Sequence, residues 1–170
     1  MPAPRKIHTT SDFVITLECF DASNASLGTV TSAGDNTLGG ANPNNELLEI
    51  TAQCMDQQQA DYGSRYPFGD TYDQVFVPEF NSGAMENPGM VTLNDESFLY
   101  RSRTTEGNRR LRAQVIAHEM AHMWFGDLVT MRWWDGVWLN ESFAEFMGLH
   151  TIEATTRFHG AWADFCLGRK

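Results

Sequence analysis

The chain has 170 residues, which suits a single domain of ordinary size built around one hydrophobic core. Its 22 acidic residues outnumber the 12 basic ones, and the formal net charge of -10 argues against nucleic-acid binding, which requires a basic face. Hydrophobic residues make up 42% of the sequence, a share that excludes a disordered composition. We therefore expect a folded protein that binds no nucleic acid.

The sequence shows no membrane segment and no export signal. No apolar run approaches the roughly 20 residues that span a bilayer, and Met1–Lys6 lacks the apolar stretch of a signal peptide. The cysteines Cys19, Cys54 and Cys166 form no CxxC pair, which predicts buried, reduced thiols rather than disulfides or a thiolate zinc site. We expect a soluble cytoplasmic protein with no membrane partner; the oligomeric state stays open.

Strand and turn patterns dominate the first half of the chain. Apolar and polar residues alternate over 13–20, which predicts a strand near a sheet edge. Residues 21–45 are rich in Gly, Asn, Ser and Thr and predict a long connection without structure of its own. Helical spacing of apolar residues after a cap at Asn44 or Asn45 predicts a helix to about Tyr62. The next predicted elements are a turn at 66–69, a buried strand at 74–80 and a short strand at 90–93.

The second half of the sequence is predicted to be helical. Apolar periodicity predicts one helix from about Asn108 to Phe125, closed by Gly126, a second over 136–148 and a third over 152–167. Strands thus come first and helices later, which is the pattern of an α+β domain.

The strongest chemical signal is an HExxH motif at His118–His122, in the second half of a predicted helix. Residues at i and i+4 lie on one helical face, about 6 Å apart along the axis, so both imidazoles can reach one metal ion. Glu119 lies a step around the helix, where it can take a proton from water rather than act as a ligand. The motif also occurs by chance, as two helix histidines beside an exposed Glu.

A third ligand is predicted at Glu141, which 18 residues separate from His122. Glu141 lies in an amphipathic helix among Trp, Leu, Phe and Ala, where a carboxylate is costly unless it is paired or ligated. Two histidines and one Glu with an open position form a catalytic zinc arrangement. Glu145, one turn beyond Glu141, and Asp127, just past the first helix, are candidates to accept a hydrogen bond from the ligand histidines; capping or solvation is the alternative.

A second motif, Gly83-Ala84-Met85-Glu86-Asn87, follows the buried strand. Its small residues would let an extended peptide lie along the backbone, as in strand addition to a sheet edge, and Glu86 could then meet a cation. The residues alone equally describe a loop with a solvated Glu.

Two further clusters are interpreted structurally. Arginines crowd the approach to the metal helix and are interpreted as a solvated helix start; they are Arg101, Arg103, Arg109, Arg110 and Arg112. Tryptophans bracket the turn between the two ligand helices and are interpreted as packing residues; they are Trp124, Trp133, Trp134 and Trp138.

The GAMEN motif at Gly83–Asn87, the HExxH motif and the pair Asn140-Glu141 together resemble the aminopeptidase N family of zinc metallopeptidases, the M1 family. The resemblance is strong over 66–145 and fades towards 1–45. It implies a thermolysin-like (gluzincin) core and one zinc ion.

By this resemblance, His118, His122 and Glu141 would bind the zinc. Glu119 would be the general base, taking a proton from water and returning it to the leaving amine. Glu86 would hold the free α-amine of a peptide substrate, with Gly83, Ala84, Met85 and Asn87 beside it.

One departure from the family pattern concerns a Tyr that stabilises the tetrahedral intermediate downstream of the third ligand. The tyrosines of this chain, Tyr62, Tyr66, Tyr72 and Tyr100, all precede the zinc motif. The β-rich domain before the family's catalytic domain and the helical domain after it are not found either. We therefore expect 1–170 to be one partial catalytic domain, with 1–95 mostly sheet plus one helix and 96–170 helical and zinc-binding, that hydrolyses peptides weakly or not at all.

Other functions stay open at this point. A non-catalytic zinc- or peptide-binding module would fit the absent Tyr. An HExxH endopeptidase would cut peptides with blocked N-termini, and the family also includes an epoxide hydrolase.

Overall fold

A computed structural model describes residues 14–20, 26–31, 45–100 and 103–168. Five strands form one sheet in the order β2-β1-β3-β5-β4. Their bounds are β1 Val14–Phe20, β2 Ser26–Thr31, β3 Thr71–Val77, β4 Ala84–Met85 and β5 Met90–Asn94. The three inner strands β1, β3 and β5 are parallel, and the outer strands β2 and β4 are antiparallel to their neighbours.

Two strand predictions need correction. The segment 21–45, predicted as an unstructured connection, contains β2, which pairs with β1 at the sheet edge; the rest of that segment lies outside the described residues. The buried strand predicted at 74–80 begins three residues earlier and ends at Val77. It ends there because Glu79 adopts a left-handed backbone with φ 55°, which breaks the extended chain.

Alternation places the buried side of β3 and β5 against the helices. Tyr72, Gln74 and Phe76 are buried on β3, and Val91 and Leu93 are buried on β5. The short strand prediction at 90–93 is confirmed, with Asn94 added. The GAMEN segment contributes β4, a pairing that the sequence did not predict.

Helices make up most of the described second half. Their bounds are α1 Asn45–Tyr62, α2 Asp95–Phe98, α3 Glu106–His122, a 3₁₀ turn at Trp134–Gly136, α4 Trp138–Thr155 and α5 Ala161–Gly168. The prediction for α1 is confirmed. Helix α3 begins two residues before its predicted start because Thr105 caps it, accepting a hydrogen bond from the Asn108 N–H at 3.2 Å. Sheet and helices together are compatible with the predicted α+β class.

The predicted helix ends in the last third of the chain were wrong. Helix α3 stops at His122 rather than Phe125, and α4 runs through Gly148 to Thr155, so the third predicted helix begins only at Ala161. Gly148 is an interior residue of α4, and a Cβ there would lie 3.2 Å from the His118 backbone nitrogen of α3, so this glycine marks the close approach of two helices and not a helix end.

The main core lies between the sheet and helices α1, α3 and α4. Its large buried members include Leu47, Met55, Tyr72, Phe76, Leu93, Ile116, Met120, Leu149 and Ile152. Gln58 of α1 bridges the other two helices, donating to the Ala117 carbonyl at 2.7 Å and to Thr151 Oγ1 at 3.2 Å. Helix α1 therefore supports α3 directly beneath the HExxH segment.

Two interpretations of polar residues also change. Arg112 is fully buried rather than solvated, and it donates to Glu46 Oε2 and to the Phe98 carbonyl, each at 3.1 Å. Cys54 is buried as predicted, whereas Cys166 is exposed, and the side chain of Cys19 lies outside the described residues.

Candidate active site

The HExxH motif forms the C-terminal end of α3. His118 and His122 are one helical turn apart, which brings their Nε2 atoms within 3.1 Å of each other. Two ring nitrogens this close share at most one proton between them, so at least one is a free acceptor. The pair can therefore offer lone pairs to one cation.

Glu141 completes the set from the first turn of α4. Its Oε2 lies 3.1 Å from His118 Nε2 and 3.6 Å from His122 Nε2. Its side chain is 67% exposed, so the expectation that apolar neighbours bury this carboxylate was wrong. What brings Glu141 to the histidines is the close packing of α3 against α4.

The spacing of these three donor atoms fits a zinc ion. Tetrahedral zinc with bonds of about 2.0–2.1 Å places its donors about 3.3 Å apart. The three observed separations are 3.1, 3.1 and 3.6 Å. The donors are two imidazole nitrogens and one carboxylate oxygen, which leave a fourth position open as in catalytic zinc sites.

The two histidines differ electrostatically. Burial lowers the pKa of His122, which favours the neutral form that ligates metals. Burial also lowers the pKa of His118, but its hydrogen bond to Glu145 and the negative charges of Glu119 and Glu141 outweigh that and raise it overall.

Glu119 lies beside the donor set and is only 7% exposed. Burial raises its pKa to about 7; the nearby His118 opposes this rise, and the carboxylates of Glu86, Glu141 and Asp127 add to it. Its carboxylate also lies within 4.8 Å of ligand atoms of Glu86 and His122. A carboxylate with this pKa can both accept and release a proton near neutral pH.

The GAMEN segment lies beside the C-terminal end of α3. Strand β4 is the edge strand beyond β5, with Ala84 opposite Leu93 and Met85 opposite Thr92. This pairing carries Glu86 to the site, where its Oε1 is 4.0 Å from His122 Nδ1. The outer edge of β4 has no strand beside it within the described sheet.

Comparison with known proteins agrees with this geometry. Residues 46–169 match the profile of the Peptidase family M1 domain. The chain belongs to peptidase family M1. Its relatives include aminopeptidase N of Streptomyces lividans, 54% identical over 100 residues, and aminopeptidase Ey of Gallus gallus, 46% identical over 112 residues. Tricorn protease-interacting factor F2 of Thermoplasma acidophilum is 39% identical over 118 residues.

These matches cover a large share of this M1 chain but a small share of each relative. They span 59%, 64% and 69% of the chain, respectively, and 11%, 11% and 15% of the three relatives. In the part of the chain that the structure describes, no helix has the length and apolar character needed to cross a membrane.

Contacts of the two HExxH histidines on the side away from Glu141 only partly follow the sequence prediction. Glu145 Oε2 lies 3.5 Å from His118 Nδ1, and Gln114 Nε2 donates to the other Glu145 oxygen at 3.0 Å. The neighbours of His122 Nδ1 are the Phe125 carbonyl at 3.3 Å and Glu86 Oε1 at 4.0 Å, rather than the predicted Asp127. The carboxyl of Asp127 has its pKa raised to about 6 by burial and by Glu86.

Two residues near the histidines, Gln114 and Gly126, were missed by sequence reasoning as parts of the site, and Asn140 was noted only as the neighbour of Glu141 in a motif. Gly126 was interpreted only as a helix stop. Its backbone has φ +133°, and a Cβ there would lie 2.6 Å from Asn140 Oδ1 and 3.0 Å from His122 Nδ1. The one available signal was a glycine four residues after a ligand histidine, which does not reveal a close approach.

Proposed function

We propose that this M1 chain carries the zinc site of an aminopeptidase that releases N-terminal residues from peptides. The observation that carries the proposal is the convergence of His118, His122 and Glu141 at zinc-like separations beside the buried Glu119. The aminopeptidase names of two of the relatives support the reaction class. A thermolysin-like core, with the HExxH helix followed by the helix of the third ligand, is part of the proposal.

A bound zinc would supply Lewis-acid activation of water and polarisation of the scissile carbonyl. Glu119 would accept the proton from the attacking water. Its pKa of about 7 matches that task, since a base must be ionised before the reaction and still bind a proton well. It would then return the proton to the leaving amine.

Glu86 would bind the free α-amine of the substrate. Its carboxylate lies near two other acidic side chains: Glu86 and Asp127 both raise the pKa of Glu119, and Glu86 also raises the pKa of Asp127. A cationic ammonium would relieve that repulsion. The substrate backbone would run along Gly83, Ala84, Met85 and Asn87, at the open edge of β4.

Metal analysis tests the first part of the proposal. We expect one zinc per chain after removal of loosely bound metal, and His122→Ala should lose it. His150→Ala is the matched control, because His150 lies on α4 but pairs with Asp61 at 3.4 Å, outside the donor set. A folded wild-type chain with far less than one zinc, or full zinc retention by His122→Ala, would refute the site.

Hydrolysis of an aminoacyl chromogenic substrate tests the second part. We expect turnover of this substrate by the zinc-loaded chain to be weak. Turnover should disappear in Glu119→Gln and on N-acetylated substrate. Equal cleavage of acetylated substrate would indicate an endopeptidase instead. Tight zinc binding with no turnover at any chain concentration would favour a non-catalytic zinc- or peptide-binding module.

A further inference from the structure

Gly148 lies within α4, where glycine weakens a helix relative to alanine. A Cβ built at this position would meet three backbone atoms of α3: the His118 nitrogen at 3.2 Å, the Gln114 oxygen at 3.3 Å and the His118 Cα at 3.3 Å. Backbone atoms of a helix cannot rotate away as a side-chain end can. The absence of a side chain at Gly148 therefore permits the observed separation of the two helices.

The same face of α4 carries the residues that reach across to the metal helix. Glu141, Glu145 and Gly148 stand at i, i+4 and i+7, so they form one row along the helix. Across from this row, Glu141 Oε2 lies 3.1 Å from His118 Nε2, and Glu145 Oε2 lies 3.5 Å from His118 Nδ1. Both ring nitrogens of His118 thus have partners from α4.

Small residues continue this close contact between the helices. Ala121 of α3 and Ala144 of α4 are both fully buried in one cluster. Gln114 spans the interface beside Gly148, donating to Glu145 at 3.0 Å. These contacts between α3 and α4 form without a metal. They set the distance between the two helices, and therefore the distance of Glu141 from the histidines.

We propose that Gly148 is a positioning residue for the zinc site. The missing side chain sets the separation of α3 and α4 at which Glu141 completes the donor set and Glu145 orients His118. The inference rests on the proposed zinc function, and it assigns to a residue outside the motifs a part in the metal geometry.

The expected effect is modest and specific. A methyl group at Gly148 would force the helices apart by a few tenths of an ångström. Metal–ligand distances in protein sites stay within about 0.2 Å of their usual values, so a shift of this size would be felt at the site. Loss of an outer contact to a ligand typically costs 10–100-fold in metal affinity. We expect a zinc dissociation constant about three- to tenfold higher in Gly148→Ala, and higher still in Gly148→Val.

The experiment compares these variants with Gly107→Ala. Gly107 lies in the first turn of α3, and a Cβ there would be 3.9 Å from the Thr105 hydroxyl. Zinc affinity is measured in the whole chain by competition with a chromophoric chelator, well below the unfolding temperature. The visible absorption of the cobalt-substituted chain reports the metal geometry without any assay of hydrolysis.

A positioning role predicts weaker zinc binding and an altered cobalt spectrum in Gly148→Ala, with both unchanged in Gly107→Ala. A merely structural glycine predicts that all three variants bind zinc like the wild type, and this result would overturn the inference while leaving the proposed function intact. Failure of the wild-type chain to bind zinc would overturn the proposed function and the inference with it. If Gly148→Val does not fold, Gly148→Ala decides.

Discussion

Glu119 is nearly buried, and its ionised form is disfavoured by burial and by three neighbouring carboxylates. Because its pKa is raised in the folded chain, the native state holds its proton more tightly than the unfolded state does. Stability from this group is therefore present at low pH and is lost as pH rises from about 4.5 to about 7. The proposed base thus costs the metal-free protein stability at neutral pH.

Glu119→Gln should remove that cost along with the proposed hydrolysis. At pH 8 we expect the metal-free variant to be more stable than the wild type, by at most about 3 kcal/mol. At pH 5 the difference should be much smaller. Urea unfolding with a chelator at both pH values measures this, and Glu49→Gln, on the exposed side of α1, is the control. Equal stability of Glu119→Gln and wild type at pH 8 would contradict the burial argument.

Gly126 combines an unusual backbone conformation with a close approach to the candidate site. Its φ of +133° is unfavourable for residues with a Cβ, and a Cβ there would meet both Asn140 and His122. Gly126→Ala should therefore destabilise the chain by about 1–3 kcal/mol and weaken zinc binding. Gly160→Ala separates the two causes, since Gly160 has φ +90° but a Cβ there would meet nothing within 4 Å. Equal zinc affinity in both variants would show that the close contact at His122 has no effect.

At the scale of elements, one carboxylate holds three segments together. Glu46 in the first turn of α1 accepts hydrogen bonds from Arg109 and Arg112 of α3, at 3.3 and 3.1 Å, and from Arg157 Nε at 3.0 Å after α4. Arg112 is fully buried and also lies 4.3 Å from the ring centre of Tyr100. The end of the core farther from the HExxH motif therefore depends on a buried ion pair.

Glu46→Gln should reveal that dependence. Removing the charge opposite a buried guanidinium costs about 3–5 kcal/mol, whereas a largely exposed pair contributes about 0–1 kcal/mol. We expect Glu46→Gln to lower the free energy of unfolding by several times as much as Arg157→Gln, because Arg157 is half-exposed. Urea unfolding of both variants measures this. Comparable losses of unfolding free energy in the two variants would contradict the larger contribution expected from the buried pair of Glu46 and Arg112.

Local patterns predicted the elements that depend on local chemistry. Apolar spacing gave α1, and the i, i+4 spacing of the HExxH motif correctly placed His118 and His122 on one face of α3. The errors arise where distant segments decide. The sequence pattern suggests a helix end at Gly148, whereas the glycine there fits a close contact with α3. The polar composition around β2 does not predict a strand, because the strand forms by pairing with β1.

In the candidate site, too, the sequence predicted the features that depend on local spacing and not those that depend on contacts between distant segments. Motif spacing identified three residues whose donor atoms converge, as well as the contact of Glu145 with His118. It did not identify Gln114 or the close approach of Gly126 to Asn140, since these depend on distances between segments that are far apart in the sequence.

At the scale of the whole molecule, several large apolar side chains are exposed in and beside the segment that joins α3 to α4. Trp133, Trp134 and Trp138 are 69%, 73% and 66% exposed, which corrects the prediction that these tryptophans pack inside; Trp124 alone of the four is buried. Val129 and Val137 are exposed nearby. A groove of about 440 Å³ runs along this surface.

The exposed apolar side chains and the net charge have opposite effects on self-association of the chain. A net charge of -10 keeps chains apart, whereas contiguous exposed apolar residues favour association. Salt screens the repulsion, with a Debye length that falls from about 30 Å at 0.01 M to about 8 Å at 0.15 M. We therefore expect the apparent mass in light scattering to rise with salt and with chain concentration. The double variant Trp133→Ser, Trp134→Ser should reduce that rise, whereas Leu167→Ser, an exposed apolar residue on α5, should reduce it less. A constant monomer mass for the wild type across these conditions would show that charge dominates.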